Sequence, residues 1–168
     1  MTLPRDHVDA IVTQWRRERP DLDVRPLASF GRVLRLAQLA DGELGRLLTG
    51  HGLQPGWFDV LAALRRAGTP YELTPGRLLE AMIVTSGGLT KRLDRMVEAG
   101  LVSRRPDPAD RRGTLVRLTR KGRTTIDRAL ADHVANEGTL LAPLTAAEQR
   151  TLDGLLRRLL VALESPSS

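Results

Sequence analysis

The chain has 168 residues, a formal charge of +6 and no cysteine, a length that suits one domain with a substantial core. With 41% hydrophobic and 27% charged residues it is a folding composition rather than a disordered one. The missing cysteine excludes disulfides, thiolate metal sites and thiol redox sensing, and no apolar run approaches the ~18 residues of a membrane span.

The first helix is expected from about Pro4 to just before Pro20, with Val8, Ile11, Val12 and Trp15 as its apolar stripe. Met1–Arg19 lacks the apolar stretch of a signal peptide, so a cytoplasmic location is expected. A long second helix spans about Arg25 to Thr49, where Leu27, Phe30, Leu34, Ala37, Leu44 and Leu48 share a side and Gly50 and Gly52 end it. A third opens at Gln54-Pro55 and closes at Gly68, with Trp57, Val60, Leu61 and Leu64 inward. Thr74-Pro75 reads as an N-cap followed by proline at the first helical position, starting a short helix to about Met82. Thr85 or Ser86 caps the next helix, which ends at Ala99-Gly100. Leu101–Arg105 and Thr114–Leu118 alternate and pair as a hairpin around the polar loop Pro106–Gly113. Thr119 caps a long helix to about Leu141. Thr145-Ala146-Ala147-Glu148 is a capping box for the last helix, striped by Leu152, Leu155, Leu156, Leu159, Leu160 and Leu163.

The order is that of a mainly α protein with a small β-hairpin wing, a winged helix–turn–helix between terminal helices. Residues 54–118 form the winged part. Residues 1–53 and 119–168 form a helical dimerisation region continuous with it, because their apolar stripes exceed what a winged core of that size can cover.

Of the 26 basic residues only Lys91 and Lys121 are lysines. Lys91 to Arg128 holds twelve basic residues against five acidic ones, an excess larger than the whole chain's. Such a block is the footprint of a polyanion partner, although an arginine-rich solvated surface gives the same count. Position decides between them. At roughly 100° per residue, Leu89, Leu93, Met96 and Val97 face the core while Lys91 and Arg95 point away, with Gly87 near their face. Thr85, Ser86, Gly88 and Thr90 lie at the start of the helix, where small residues permit close approach and hydroxyls favour phosphate. Arg95 is the expected base reader, since guanidinium bonds guanine bidentately; Lys91 suits base or phosphate. Arg111 and Arg112 sit at the wing tip, suited to a narrow minor groove, with Asp110 expected to hold one of them by a charge-assisted bond. The partner expected is double-stranded DNA.

The run Pro108-Ala109-Asp110-Arg111-Arg112-Gly113-Thr114-Leu115-Val116-Arg117-Leu118-Thr119-Arg120-Lys121-Gly122 resembles the wing signature of the MarR family. In that family an Asp-Arg-Arg tip leads into a Val-x-Leu-Thr-x-x-Gly strand-to-helix passage. The resemblance implies a homodimeric transcriptional regulator, usually a repressor, that binds a palindromic site and is released by a small molecule. Within the family the chain is similar to the urate-responsive subgroup, the PecS- and HucR-like proteins. It shares an extra N-terminal helix bearing a tryptophan and the run Trp57-Phe58-Asp59-Val60-Leu61-Ala62-Ala63-Leu64-Arg65-Arg66-Ala67-Gly68. The subgroup's ligand set then falls on Trp15, Asp59, Arg66 and Arg92.

Helical spacing is compatible with this set without requiring it. Asp59 and Arg66 share a face two turns apart, with Ala62 and Ala63 leaving room between them; an exposed ion pair of little worth is the plain alternative. Arg92 flanks the core stripe, where it suits either a pocket or a phosphate. Trp15 serves equally as core or dimer packing and as a stacking wall. No cofactor, metal or enzymatic chemistry is expected: His7, His51 and His133 have no ligand spacing, and there is no phosphate-cradling loop or nucleophile triad. A regulator that lacks a ligand, an architectural DNA binder, or a winged-helix protein-interaction module are the competing functions.

Overall fold

A computed structural model describes residues 4–83, 88–110 and 112–165. Among these residues seven helices and three strands follow one another as α1 (His7–Glu18), α2 (Arg25–Gly50), α3 (Trp57–Arg66), β1 (Glu72–Leu73), α4 (Pro75–Ala81), α5 (Leu89–Glu98), β2 (Val102–Pro106), β3 (Thr114–Leu118), α6 (Arg120–Leu141) and α7 (Ala146–Glu164). The fold is a mainly helical winged helix. No described helix is long and apolar enough to cross a membrane.

The chain divides into two compact units, residues 1–46 and 47–168. In the first, α1 begins at His7 rather than near Pro4. Asp6 caps it and accepts from the Asp9 backbone N–H at 2.9 Å, while the Asp9 carboxylate accepts from the Asp6 N–H, a reciprocal capping box. Arg32 of α2 grips both carboxylates, 2.6 Å from each. Val8 and Val12 are buried with Val24, whereas Ile11 and Trp15, expected on the same stripe, are 38% and 47% exposed. The apolar side of α2 is likewise open, with Phe30 56% and Leu34 69% exposed.

The second unit is built around α3. Seven of its ten residues are buried, among them Val60, Leu61 and Leu64 with no exposed surface. Against them pack Leu78 of α4, Leu93 and Met96 of α5, Val116 of β3 and Ile126 of α6. The wing is a three-stranded antiparallel sheet in the order β1-β3-β2, not the two-stranded hairpin expected. Leu73 pairs with Val116, and Arg104 pairs with Val116 from the other side, so β3 is central. Two residues are too few to show an alternation, which is why β1 is silent in the sequence.

The recognition segment differs at its start and ends at Ala99-Gly100 as expected. Helix α5 opens at Leu89 with Gly88 as its N-cap, in the left-handed region at φ 84°. The expected caps Thr85 and Ser86 lie outside the described residues. At the far end Gly100 (φ 69°) closes the helix: its N–H donates to Val97 O and that of Leu101 donates to Met96 O, both at 2.9 Å. Val97, expected in the core, is 38% exposed. Thr119 caps α6 as expected, and its hydroxyl also donates to Gly100 O at 2.7 Å, while Lys121 Nζ donates to Ala99 O at 2.8 Å. The start of α6 therefore seals the end of α5. Helix α7 keeps its Thr145/Glu148 capping box, yet none of its residues is buried.

Candidate functional site

Helix α5 stands on Leu89, Leu93 and Met96, which are buried, and turns Thr90, Lys91, Asp94 and Arg95 outward. Lys91 and Arg95 share a cleft of about 330 Å³ with Arg92, Gln54, Pro55 and Trp57, at the junction of the α3 start with α5. The segment before α5 was expected to contribute Gly87 as well; that residue and Arg111 lie outside the described residues.

The wing tip is shaped by two aspartates acting on backbone. Asp107 accepts from the Ala109 N–H and Asp110 from the Arg112 N–H, each at 2.9 Å. The Asp107 N–H donates to Gly113 O, and the Gly113 N–H donates to Asp110 O. Asp110 was expected to bond an arginine side chain. Its bond to the Arg112 N–H folds the turn that presents Arg112, which is exposed, while the side chain of Arg111 lies outside the described residues. A Cβ at Gly113 would crowd this turn, meeting Asp107 Cβ at 3.0 Å and Asp110 O at 3.1 Å.

The basic block is not one patch. On β2, Arg104 and Arg105 point to opposite faces, as strand geometry requires. Arg104 Nη1 lies 2.5 Å from Asp94 Oδ1 of α5, and its Nη2 donates to Thr90 O at 3.4 Å. Arg105 reaches across β3 to Glu72 of β1, donating through Nε at 3.0 Å and through Nη2, and this holds the Glu72 carboxyl below its ordinary pKa. Arg123 and Arg65 flank the Tyr71 ring at 5.5 and 5.1 Å, with Asp127 2.7 Å from Arg65. A simple charge count does not distinguish these internally engaged cations from the outward-facing Lys91 and Arg95.

A second cluster surrounds Asp59. Burial raises the Asp59 pKa above its ordinary value, while the charges of Arg92, His133 and Arg66 oppose that shift. Asp59, Arg66 and Arg92 thus occupy one electrostatic neighbourhood. Among the described residues no ion pair joins Asp59 to Arg66; Arg66 Nη2 donates to Ala81 O at 2.5 Å. The Arg92 guanidinium lies over Gly56, where a Cβ would come within 2.7 Å of Cζ. His133, absent from the sequence expectation, stacks on Phe58 at 4.3 Å with its Nε2 3.2 Å from Glu137. Its signal was present only as a histidine on α6, considered solely as a metal ligand. Trp15 belongs to the other unit.

Residues 51–113 match the MarR family. The HTH-type transcriptional regulator PecS of Dickeya dadantii (strain 3937) is 40% identical over 151 residues, covering 90% of this chain and 91% of the relative. The multiple antibiotic resistance protein MarR of Escherichia coli (strain K12) is 34% identical, over 78% of this chain and 90% of the relative. A mutant MarR from E. coli complexed with operator DNA superposes with a TM-score of 0.68 at 31% identity, covering 87% and 97% of the two chains. A MarR family transcriptional regulator from Streptomyces coelicolor gives a TM-score of 0.72 at 29% identity, covering 87% of this chain and all of that one. Identity sustained over nine-tenths of two chains, on a shared winged fold, leads to one conclusion: this chain belongs to the MarR family of winged helix–turn–helix transcriptional regulators.

Proposed function

We propose that the protein is a homodimeric, sequence-specific DNA-binding repressor whose hold on its operator is loosened by a small planar anion such as urate. The observation that carries the DNA reading is the outward edge of α5, where Lys91 and Arg95 stand exposed in the same unit as the arginine-tipped wing. A helix of this kind enters a major groove while the wing arginines, Arg111 and Arg112, follow the adjacent minor groove. Thr85, Ser86, Gly87, Gly88 and Thr90 are assigned to the phosphate and base approach at the helix start. The E. coli relative solved with operator DNA supports the same mode.

Dimerisation is supported by the open leucines of α7, where Leu155, Leu159 and Leu160 are each about half exposed and Leu163 is 73% exposed. A monomer with that face in water would be an aggregation hazard. Residues 1–53 and 119–168 are assigned to the dimer region, and a two-fold pair sets the recognition helices ~34 Å apart on a pseudo-palindrome.

Trp15, Asp59, Arg66 and Arg92 are assigned to the ligand. An anion attracted by Arg66 and Arg92 repels the Asp59 carboxylate, and Arg92 is part of the reading helix. Strain placed on Arg92 therefore reaches the DNA-facing edge directly. Release requires only that the ligand favour one dimer shape, a coupling of about 1–3 kcal/mol or 5–150-fold in DNA affinity. Titrating urate into the complex with its operator, followed by fluorescence anisotropy, tests this. Wild type is expected to release DNA and Arg92→Ala to hold it. DNA binding that ignores urate up to millimolar concentration would leave a regulator without this ligand, and no preference for operator over random duplex would leave an interaction module.

A further inference from the structure

Arg104 belongs to the basic block between Lys91 and Arg128, but its guanidinium is turned inward onto α5. Nη1 meets Asp94 Oδ1 at 2.5 Å and Nη2 meets Thr90 O at 3.4 Å, so one planar fork spans a full turn of the helix. Thr90 and Asp94 each lie one position before Lys91 and Arg95, about 100° around the same helix. The register of β2 fixes where the fork starts, since Arg104 pairs with Val116, which is fully buried. Both partners are part-exposed, so the pair adds little to global stability. It sets orientation instead.

We propose that Arg104 is a positioning residue that locks the rotation of α5 against the wing, so that Lys91 and Arg95 and the wing tip engage adjacent grooves in a fixed relation. The inference rests on the DNA-binding reading above and names the device that gives it sequence selectivity. The Arg104–Asp94 pair has a second consequence. Asp94 is the acidic residue on the exposed edge of α5 next to Arg95, and Arg104 neutralises it where phosphates would approach.

These two roles separate experimentally. Arg104→Ala, Asp94→Asn and the double variant are compared by anisotropy on operator and random duplexes, with hydrogen exchange measured on the DNA-free proteins. If Arg104 positions α5, each single variant lowers the operator-to-random ratio by about five- to tenfold, and the double variant loses no more than either single one. Asp94→Asn does so even though removing its charge strengthens random binding. Exchange quickens in the first two turns of α5 and in β2 and β3, with α3 and α6 unchanged. The proposal is overturned if both duplexes shift alike with the ratio preserved, since that is charge acting alone, or if exchange in α5 and the wing does not change. A wild type that binds both duplexes equally refutes the DNA reading, and the exchange measurement then still decides whether the clamp exists.

Discussion

Asp59 sits on a helix seven of whose ten residues are buried, and its carboxyl carries the cost of that position. Burial raises its pKa in the fold, so the native state keeps the proton to a higher pH than the unfolded chain does. Its contribution therefore favours the fold at low pH and declines as pH climbs from the ordinary carboxylate range through the raised value. At neutral pH the ionised group is a net burden, partly screened by Arg92, Arg66 and solvent. Asp59→Asn is expected to raise the thermal midpoint at pH 7 by about 1–2 °C, with the gain disappearing below pH 4, as read by paired calorimetric scans. The same variant is expected to respond poorly to urate, a pattern in which stability and function move in opposite directions. His133 adds a lesson of the same scale. A histidine stacked on Phe58 beside this carboxyl has no local sequence signature, because the contact joins α3 to a residue 75 positions away.

Among the elements, those legible in the sequence are those whose ends are chemically marked. Thr119 and the Thr145/Glu148 box start α6 and α7 as expected, since a hydroxyl satisfying an orphan N–H is a local bond. The strand Thr114–Leu118 was also legible, because its residues alternate and the polar loop before it marks its start. What was missed depends on distant partners. Strand β1 exists because β3 offers an edge, and the 38% exposure of Val97 is set by tertiary packing rather than by its place on the helical stripe. Glycine at 122 is a further constraint of this kind. A Cβ there would fall 2.0 Å from Leu101 O, so the first turn of α6 rests directly on the backbone that ends α5. Gly122→Ala is expected to cost about 3 kcal/mol, seen as a lower urea midpoint with an unchanged slope. The clash is with a carbonyl rather than a flexible side chain, so repacking offers little relief.

For the whole molecule the decisive feature is apolar surface that the described residues leave exposed. Leu159 and Leu160 are about half exposed on a helix none of whose residues is buried. Leu160→Glu is expected to halve the mass in light scattering and to weaken operator binding at least about 100-fold, since two half-sites no longer act together. Random-duplex affinity per chain is expected to persist. The candidate ligand set is legible only through resemblance: spacing put Asp59 and Arg66 on one face, and the fold added Arg92 and His133 to their surroundings.

One junction links the scales. The central strand of the wing runs from the arginine tip to Leu118 and, after Thr119 alone, becomes α6. The Thr119 hydroxyl holds the ends of α5 and of the strand together through Gly100 and Leu101. Finger, reading rod and the long shaft of the subunit therefore meet at a single knuckle. In the proposed dimer, a small angular shift of one shaft swings its fingertip by an arc scaled to the length of the strand, so the gap between the two fingertips follows from how the shafts cross.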